Sequence, residues 1–263
     1  MQDRQALRLG CVKYLNARPL IHGWPGEVVL DHPSALCAQL ARGELDVALV
    51  SSFEFLRNPI YKIVDNISIA SDGPVYSVVV AHRGKISEVK EIELDPAAET
   101  SGNLLRCLLA ELAVEARVLT RTEKMRLGTA ATTPKTARLL IGDQAIRFRQ
   151  ERADEFEFWD LGEQWKKLTG LPFVYALWLV RPEIVDPKSV ADRLRALRDQ
   201  NLAKLDDLIA TQNEFDSAFC HGYYRENLRF SFGEREKEGL RKFSELCQKH
   251  ELLPKREIAF SLV

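Results

Sequence analysis

Short runs rich in β-branched residues alternate with amphipathic runs through the first 180 residues, and this alternation constrains the fold more than any other feature. VVLDH (28–32) and DVALVSS (46–52) read as strands. Between them, PSALCAQLARGEL carries Leu36, Cys37, Leu40 and Ala41 on one helical face, with Ser34 placed to cap and Gly43 to stop. FEFLRN begins another helix, and YKIVDNISIA and VYSVVVAHRG are strands. KEIELD is a strand, TSGNLLRCLLAELA a helix, TARLLIGDQAI a strand and turn, and EFEFWDL a strand. Repeated βα units predict an α/β protein with a mainly parallel sheet. From Asp186 the character changes to long amphipathic helices, the last with Leu240, Phe243, Leu246 and Cys247 at helical spacing.

Two long extended runs, PVYSVVVAHRG and LPFVYALWLVRP, bracket the middle βα block. Two such strands can carry the chain out of one domain and back. The expected division is an outer discontinuous lobe, 1–84 plus 180–263, and an inserted lobe, 85–179, with a hinge and a cleft between them. A single continuous domain is the alternative that the length permits.

Composition narrows the function. The formal net charge of -1 implies no bulk attraction to nucleic acid or to an anionic membrane. No apolar run approaches the ~20 residues of a membrane helix, and MQDRQALRLG lacks a signal-peptide core. The five cysteines form no C-x-x-C pair and no even framework, and the five histidines are scattered without H-E-x-x-H. The expectation is a reduced, cytoplasmic, metal-free protein acting on a small molecule. The oligomeric state stays open.

The polar candidates fall at the ends of apolar strands, where open α/β sheets bind ligands. LRLGCVKYL reads as a strand and NARPLIHG as a helix start. Asn16 then sits at a strand's carboxyl end, either as a helix cap or as a ligand contact. Ser51 and Ser52 close DVALVSS. Ser77 interrupts the apolar run of VYSVVV, and its hydroxyl either bonds the main chain or faces the cleft. Thr100 and Ser101 precede a helix, either as caps or as an anion site built on free N–H groups. Gly142 lets backbone come close to a ligand. Asp143 is a base, a ligand contact or an Asx turn. Trp165 and Phe173 read first as packing.

YLNARPL, GELDVALVSSFEFL, GPVYSVVV, DPAAETS, LLIGDQAI and WKKLTGLPFVYALW, taken in this order over residues 14–178, resemble the chorismate dehydratases of the futalosine route to menaquinone (the MqnA family). The resemblance implies a two-lobed fold like type 2 periplasmic binding proteins. It implies conversion of chorismate to 3-[(1-carboxyvinyl)oxy]benzoate with loss of water, and no cofactor. The family's motif residues fall on Asn16, Ser77, Thr100 and Ser101. Asn16 and Ser77 are then the expected catalytic residues; Ser52, Thr100, Ser101, Gly142 and Asp143 are expected to bind substrate. Ala98 stands where the family often carries Ser. The sister enzyme of the same route, which makes 1,4-dihydroxy-6-naphthoate, places a His where this chain has GDQA. A non-catalytic carboxylate-binding module of the same lobed fold is the other alternative.

Overall fold

The computed structural model describes residues 7–120, 122–123 and 135–263. Its strands are β1 (Leu9–Val12), β2 (Val28–Asp31), β3 (Val47–Ser51), β4 (Lys62–Ser71), β5 (Val78–His82), β6 (Glu91–Glu93), β7 (Arg117–Leu119), β8 (Thr136–Ile141), β9 (Glu157–Asp160) and β10 (Phe173–Val180). The helices are α1 (Arg18–Ile21), α2 (Pro33–Ala41), α3 (Ser52–Arg57), α4 (Glu99–Glu111), α5 (Gly142–Glu151), α6 (Leu161–Thr169), α7 (Pro187–Ala203), α8 (Leu205–Ala210), α9 (Ser217–Gly222) and α10 (Glu234–Lys249).

Among the described residues the strands form two five-stranded sheets, ordered β2-β1-β3-β10-β4 and β7-β6-β8-β5-β9. Where a helix connects neighbouring strands the pairing is parallel, as in β1 with β2 and β3, and β6 with β7 and β8. Strands β10 and β5 pair antiparallel with both of their neighbours. The sheets are therefore mixed rather than mainly parallel. β5 and β10 arrive from the other sheet, so no β-α-β crossover within one sheet sets them parallel to a neighbour.

The expected boundaries at 84/85 and 179/180 are corrected by these pairings. β5 belongs to the second sheet and β10 to the first, so the chain crosses at 72–77 and again at 161–172. Both strands are buried along their whole length. A strand apolar on both faces carries no period that says which sheet it joins.

Ser34 is not the cap of α2: His32 holds that position, Pro33 opens the helix, and no side chain caps it. Trp165 and Phe173 are packing residues, fully buried with ring centroids 5.1 Å apart. Phe243 of α10 lies 4.9 Å from Phe173, and the Trp165 indole donates to Pro172 O at 3.1 Å. Removing such a ring costs about 3–5 kcal/mol. Gly239 lets α10 press on this corner, because a Cβ there would stand 2.1 Å from Pro172 O.

Candidate active site

The carboxyl ends of β1, β3 and β8 converge on a narrow chamber of about 60 Å³ between the two sheets. The first sheet contributes Asn16, Ser51 and Tyr175, and the second Ser77, Thr100, Ser101 and Gly142. A larger cleft of about 880 Å³ shares Tyr14, Ala97 and Ile141 with the chamber.

Asn16 is not a helix cap. It sits inside a 3-10 turn, Leu15–Ala17, which no side chain caps. Its Oδ1 is buried with no hydrogen-bond partner among the described residues. A buried amide oxygen left unpaired costs roughly 1–3 kcal/mol, so its persistence points to a ligand group as the missing partner.

Ser77 is placed by the first crossing. Tyr76 has φ 66°, and the Ser77 N–H closes a three-residue turn onto Val75 O at 2.8 Å. That γ-turn geometry is strained for a bulky residue. Asp160 holds it, accepting from Val75 N at 3.1 Å and Tyr76 N at 2.8 Å, while the Arg149 guanidinium lies 4.2 Å from the Tyr76 ring centre. Burial pushes the Asp160 carboxyl up from its ordinary value, against these N–H donors. The Ser77 side chain faces the chamber, and its Oγ accepts from the Tyr223 hydroxyl at 2.6 Å.

Thr100 and Ser101 lie in the first turn of α4, after Ala98 at the cap position. The Thr100 hydroxyl is already engaged: it shares a 2.5 Å hydrogen bond with Ser51 Oγ and accepts from Phe53 N at 3.2 Å. The Ser101 hydroxyl, and the N–H groups of Thr100 and Ser101, have no partner among the described residues. These are the open donors that a helix start presents to an anion. Ser52 lies behind this wall: its hydroxyl donates to Val174 O at 2.7 Å, and Ser51 takes the place facing the chamber. Glu99 also reaches the chamber. Its carboxylate accepts from Arg57, and burial raises its pKa.

Gly142 has φ 60°, and a Cβ there would fall 2.8 Å from the Tyr14 ring, so only glycine fits. Its N–H donates to Ser77 O at 2.8 Å, which fixes Ser77 from the second sheet. Asp143 lines the large cleft and not the chamber. Its Oδ1 accepts from Leu15 N at 2.8 Å, bracing the turn that carries Asn16. Burial raises its pKa, opposed by that N–H and by Arg147.

The chamber thus gathers Asn16, Ser77, Thr100, Ser101 and Gly142, while Ser52 and Asp143 stand outside it. Tyr14, Tyr175, Ser51 and Glu99 also line it, with Tyr223 behind Ser77. Tyr223 and its neighbours lie in a helical stretch whose sequence carries no motif pointing to the cleft.

The fold is that of the periplasmic binding proteins. A protein of Archaeoglobus fulgidus superimposes with a TM-score of 0.72 at 18% identity, covering 94% of this chain and 98% of its own. The periplasmic aliphatic sulphonate binding protein of Escherichia coli superimposes with a TM-score of 0.62 at 12% identity, covering 95% and 88%. Residues 7–249 match the family described as menaquinone biosynthesis, and the chain belongs to that family. The chorismate dehydratase of Thermus thermophilus is 30% identical over 259 residues, covering 90% of this chain and 93% of that protein.

Proposed function

We propose that the protein is a chorismate dehydratase, a hydro-lyase that converts chorismate to 3-[(1-carboxyvinyl)oxy]benzoate and water on the futalosine route to menaquinone, in the cytoplasm. The observation that carries this reading is the meeting, in one chamber, of the open start of α4 with the unpartnered oxygen of Asn16. The named Thermus relative supports it.

Chorismate carries two carboxylates and a ring hydroxyl. Removing the ring hydrogen beside the enolpyruvyl ether sends negative charge toward the ring carboxylate, and expelling the hydroxyl makes the ring aromatic. In this reading Ser101 Oγ and the first-turn N–H groups of α4 bind the ring carboxylate. Their pull strengthens as charge develops there. Asn16 and Ser77 orient the enolpyruvyl arm and the leaving hydroxyl. Ser51 and Ser52 hold Thr100 in place.

The proton goes to the substrate. Asp143 is committed to Leu15 N–H, and Glu99 to Arg57. The enolpyruvyl carboxylate hangs from the carbon that loses the hydrogen, and an intramolecular base of that kind reaches an effective concentration of roughly 10⁵ M or more. The chamber of about 60 Å³ is smaller than the ~300 Å³ of an ordinary ligand pocket, so the two sheets act as lobes that part at 72–77 and 161–172 to admit substrate.

Incubation of the purified protein with chorismate tests the reading. The expected result is loss of chorismate with formation of an aromatic, dehydrated product. Unchanged chorismate that nevertheless raises the melting temperature makes the protein a binding module instead.

A further inference from the structure

The reaction as read needs a hydrogen-bond donor facing the departing hydroxyl, and a serine hydroxyl can point its proton in several directions. Ser77 is fully buried, and Tyr223 is its one side-chain hydrogen-bond partner among the described residues. In that bond the phenol donates and Ser77 Oγ accepts, at 2.6 Å. One lone pair of Ser77 is therefore occupied from behind. Among the described residues its own proton has no acceptor, and the open side of the residue is the chamber. The Asn16 side chain interacts with the same phenol oxygen, while Asn16 Oδ1 stays unpaired.

Tyr223 is held in place from several sides. It opens a π-helical turn, Tyr223–Asn227, a rare irregularity that concentrates at functional sites. The next residue, Tyr224, donates its hydroxyl proton to Leu15 O at 2.9 Å, and Asn227 donates to Pro74 O at 3.0 Å. Phe219 stacks on the Tyr223 ring at 5.6 Å with planes 13° apart. The turn thus grips the Leu15–Ala17 turn on one side and the first crossing on the other.

We propose that Tyr223 is a positioning residue: its phenol proton, given to Ser77 Oγ, turns the Ser77 hydroxyl proton into the chamber, so that the site presents one fixed donor, Ser77, beside one fixed acceptor, Asn16 Oδ1. The inference rests on the dehydratase reading. The Ser77 O–H bonds to the oxygen of the leaving hydroxyl as its carbon–oxygen bond breaks. That electron pair departs with the hydroxide, the pair of the broken ring C–H bond becomes the new ring double bond, and the enolpyruvyl carboxylic acid returns the abstracted proton to make water. Burial raises the Tyr223 phenol well above its ordinary pKa, which keeps it protonated and able to donate.

Tyr223→Phe keeps the ring and the stack and deletes only the hydroxyl. It is measured on chorismate beside the wild type, Ser77→Ala and the double variant, with KM, kcat and melting temperature for each. The expected result is a loss of about tenfold to a hundredfold in kcat, with KM within about threefold and little change in melting temperature. In the Ser77→Ala background the same change should cost less than about threefold, because the hydroxyl it directs is gone. An unchanged kcat overturns the inference and leaves the dehydratase reading standing. So does a loss that multiplies fully with Ser77→Ala, or one that tracks a lowered melting temperature. A wild type that leaves chorismate intact overturns both.

Discussion

Two strand-to-helix turns face the cleft, and they use the same local architecture to opposite ends. At the start of α4 the Ser101 hydroxyl and the first-turn N–H groups are left open. At the start of α5 the acidic residue of the first turn, Asp143, reaches across to Leu15 N of the other sheet. A helix start that keeps its donors free attracts an anion. One that supplies a carboxylate to a neighbour becomes a strut. The contrast explains why Asp143, though near the site, does not line the chamber, where hydroxyls, amides and N–H groups stand beside a single carboxylate, Glu99, that is already paired with Arg57.

The strut touches chemistry only through what it positions, so the largest effect falls on Asn16. Asn16→Ala should lower kcat/KM by about a hundredfold or more with little change in melting temperature. An active variant of reduced stability would mean that Asn16 only shapes its turn. Next comes the open helix start. Replacing Thr100 and Ser101 together by Ala should weaken binding of chorismate or a product-like dicarboxylate about tenfold to a hundredfold by calorimetry, the worth of one charge-assisted hydrogen bond. Unchanged affinity would erase the difference between the two turns. Asp143→Ala tests the strut, since it leaves the N–H of the buried Leu15 unpaired. Denaturant unfolding should show a loss of about 1–3 kcal/mol.

A smaller effect appears in the pH dependence. Burial raises Asp143 above its ordinary 3.8, so the folded protein holds that proton more tightly than the unfolded chain. The stability this group contributes is complete below the unfolded value and is lost as pH rises through the folded one. Asp143→Asn cannot titrate. The melting-temperature difference, wild type minus variant, should therefore move against the wild type as pH rises from about 4. Asp160 and Glu99 are raised in the same direction but are common to both proteins, so the difference isolates Asp143. A flat difference would show that Asp143 does not titrate in this range.

Much of this was legible in the sequence because it is local. The βα alternation yields most of the strands and the helix of Thr100, and the candidates at strand ends include six of the chamber's residues. Asn16 was legible as a strand-end amide. Its unpaired oxygen was not, since that depends on what surrounds a 3-10 turn. Ser51 and Ser52 are adjacent at a strand end, and only the fold decides which one faces the chamber. Tyr223 lies 146 residues from Ser77 on an irregular turn, so no period or spacing connects them. Strands β5 and β10 are apolar on both faces, and their sheet membership is set by pairing rather than by pattern.

The most direct measurement compares chorismate turnover by Asp143→Asn with that of the wild type. The Asn side chain still offers an oxygen to Leu15 N–H but cannot take a proton. If Asp143 is a strut and the substrate supplies its own base, the variant forms the aromatic product with kcat/KM within about threefold of the wild type. A well-folded variant that binds chorismate normally yet loses more than about 10³ in kcat makes Asp143 the general base and contradicts the account.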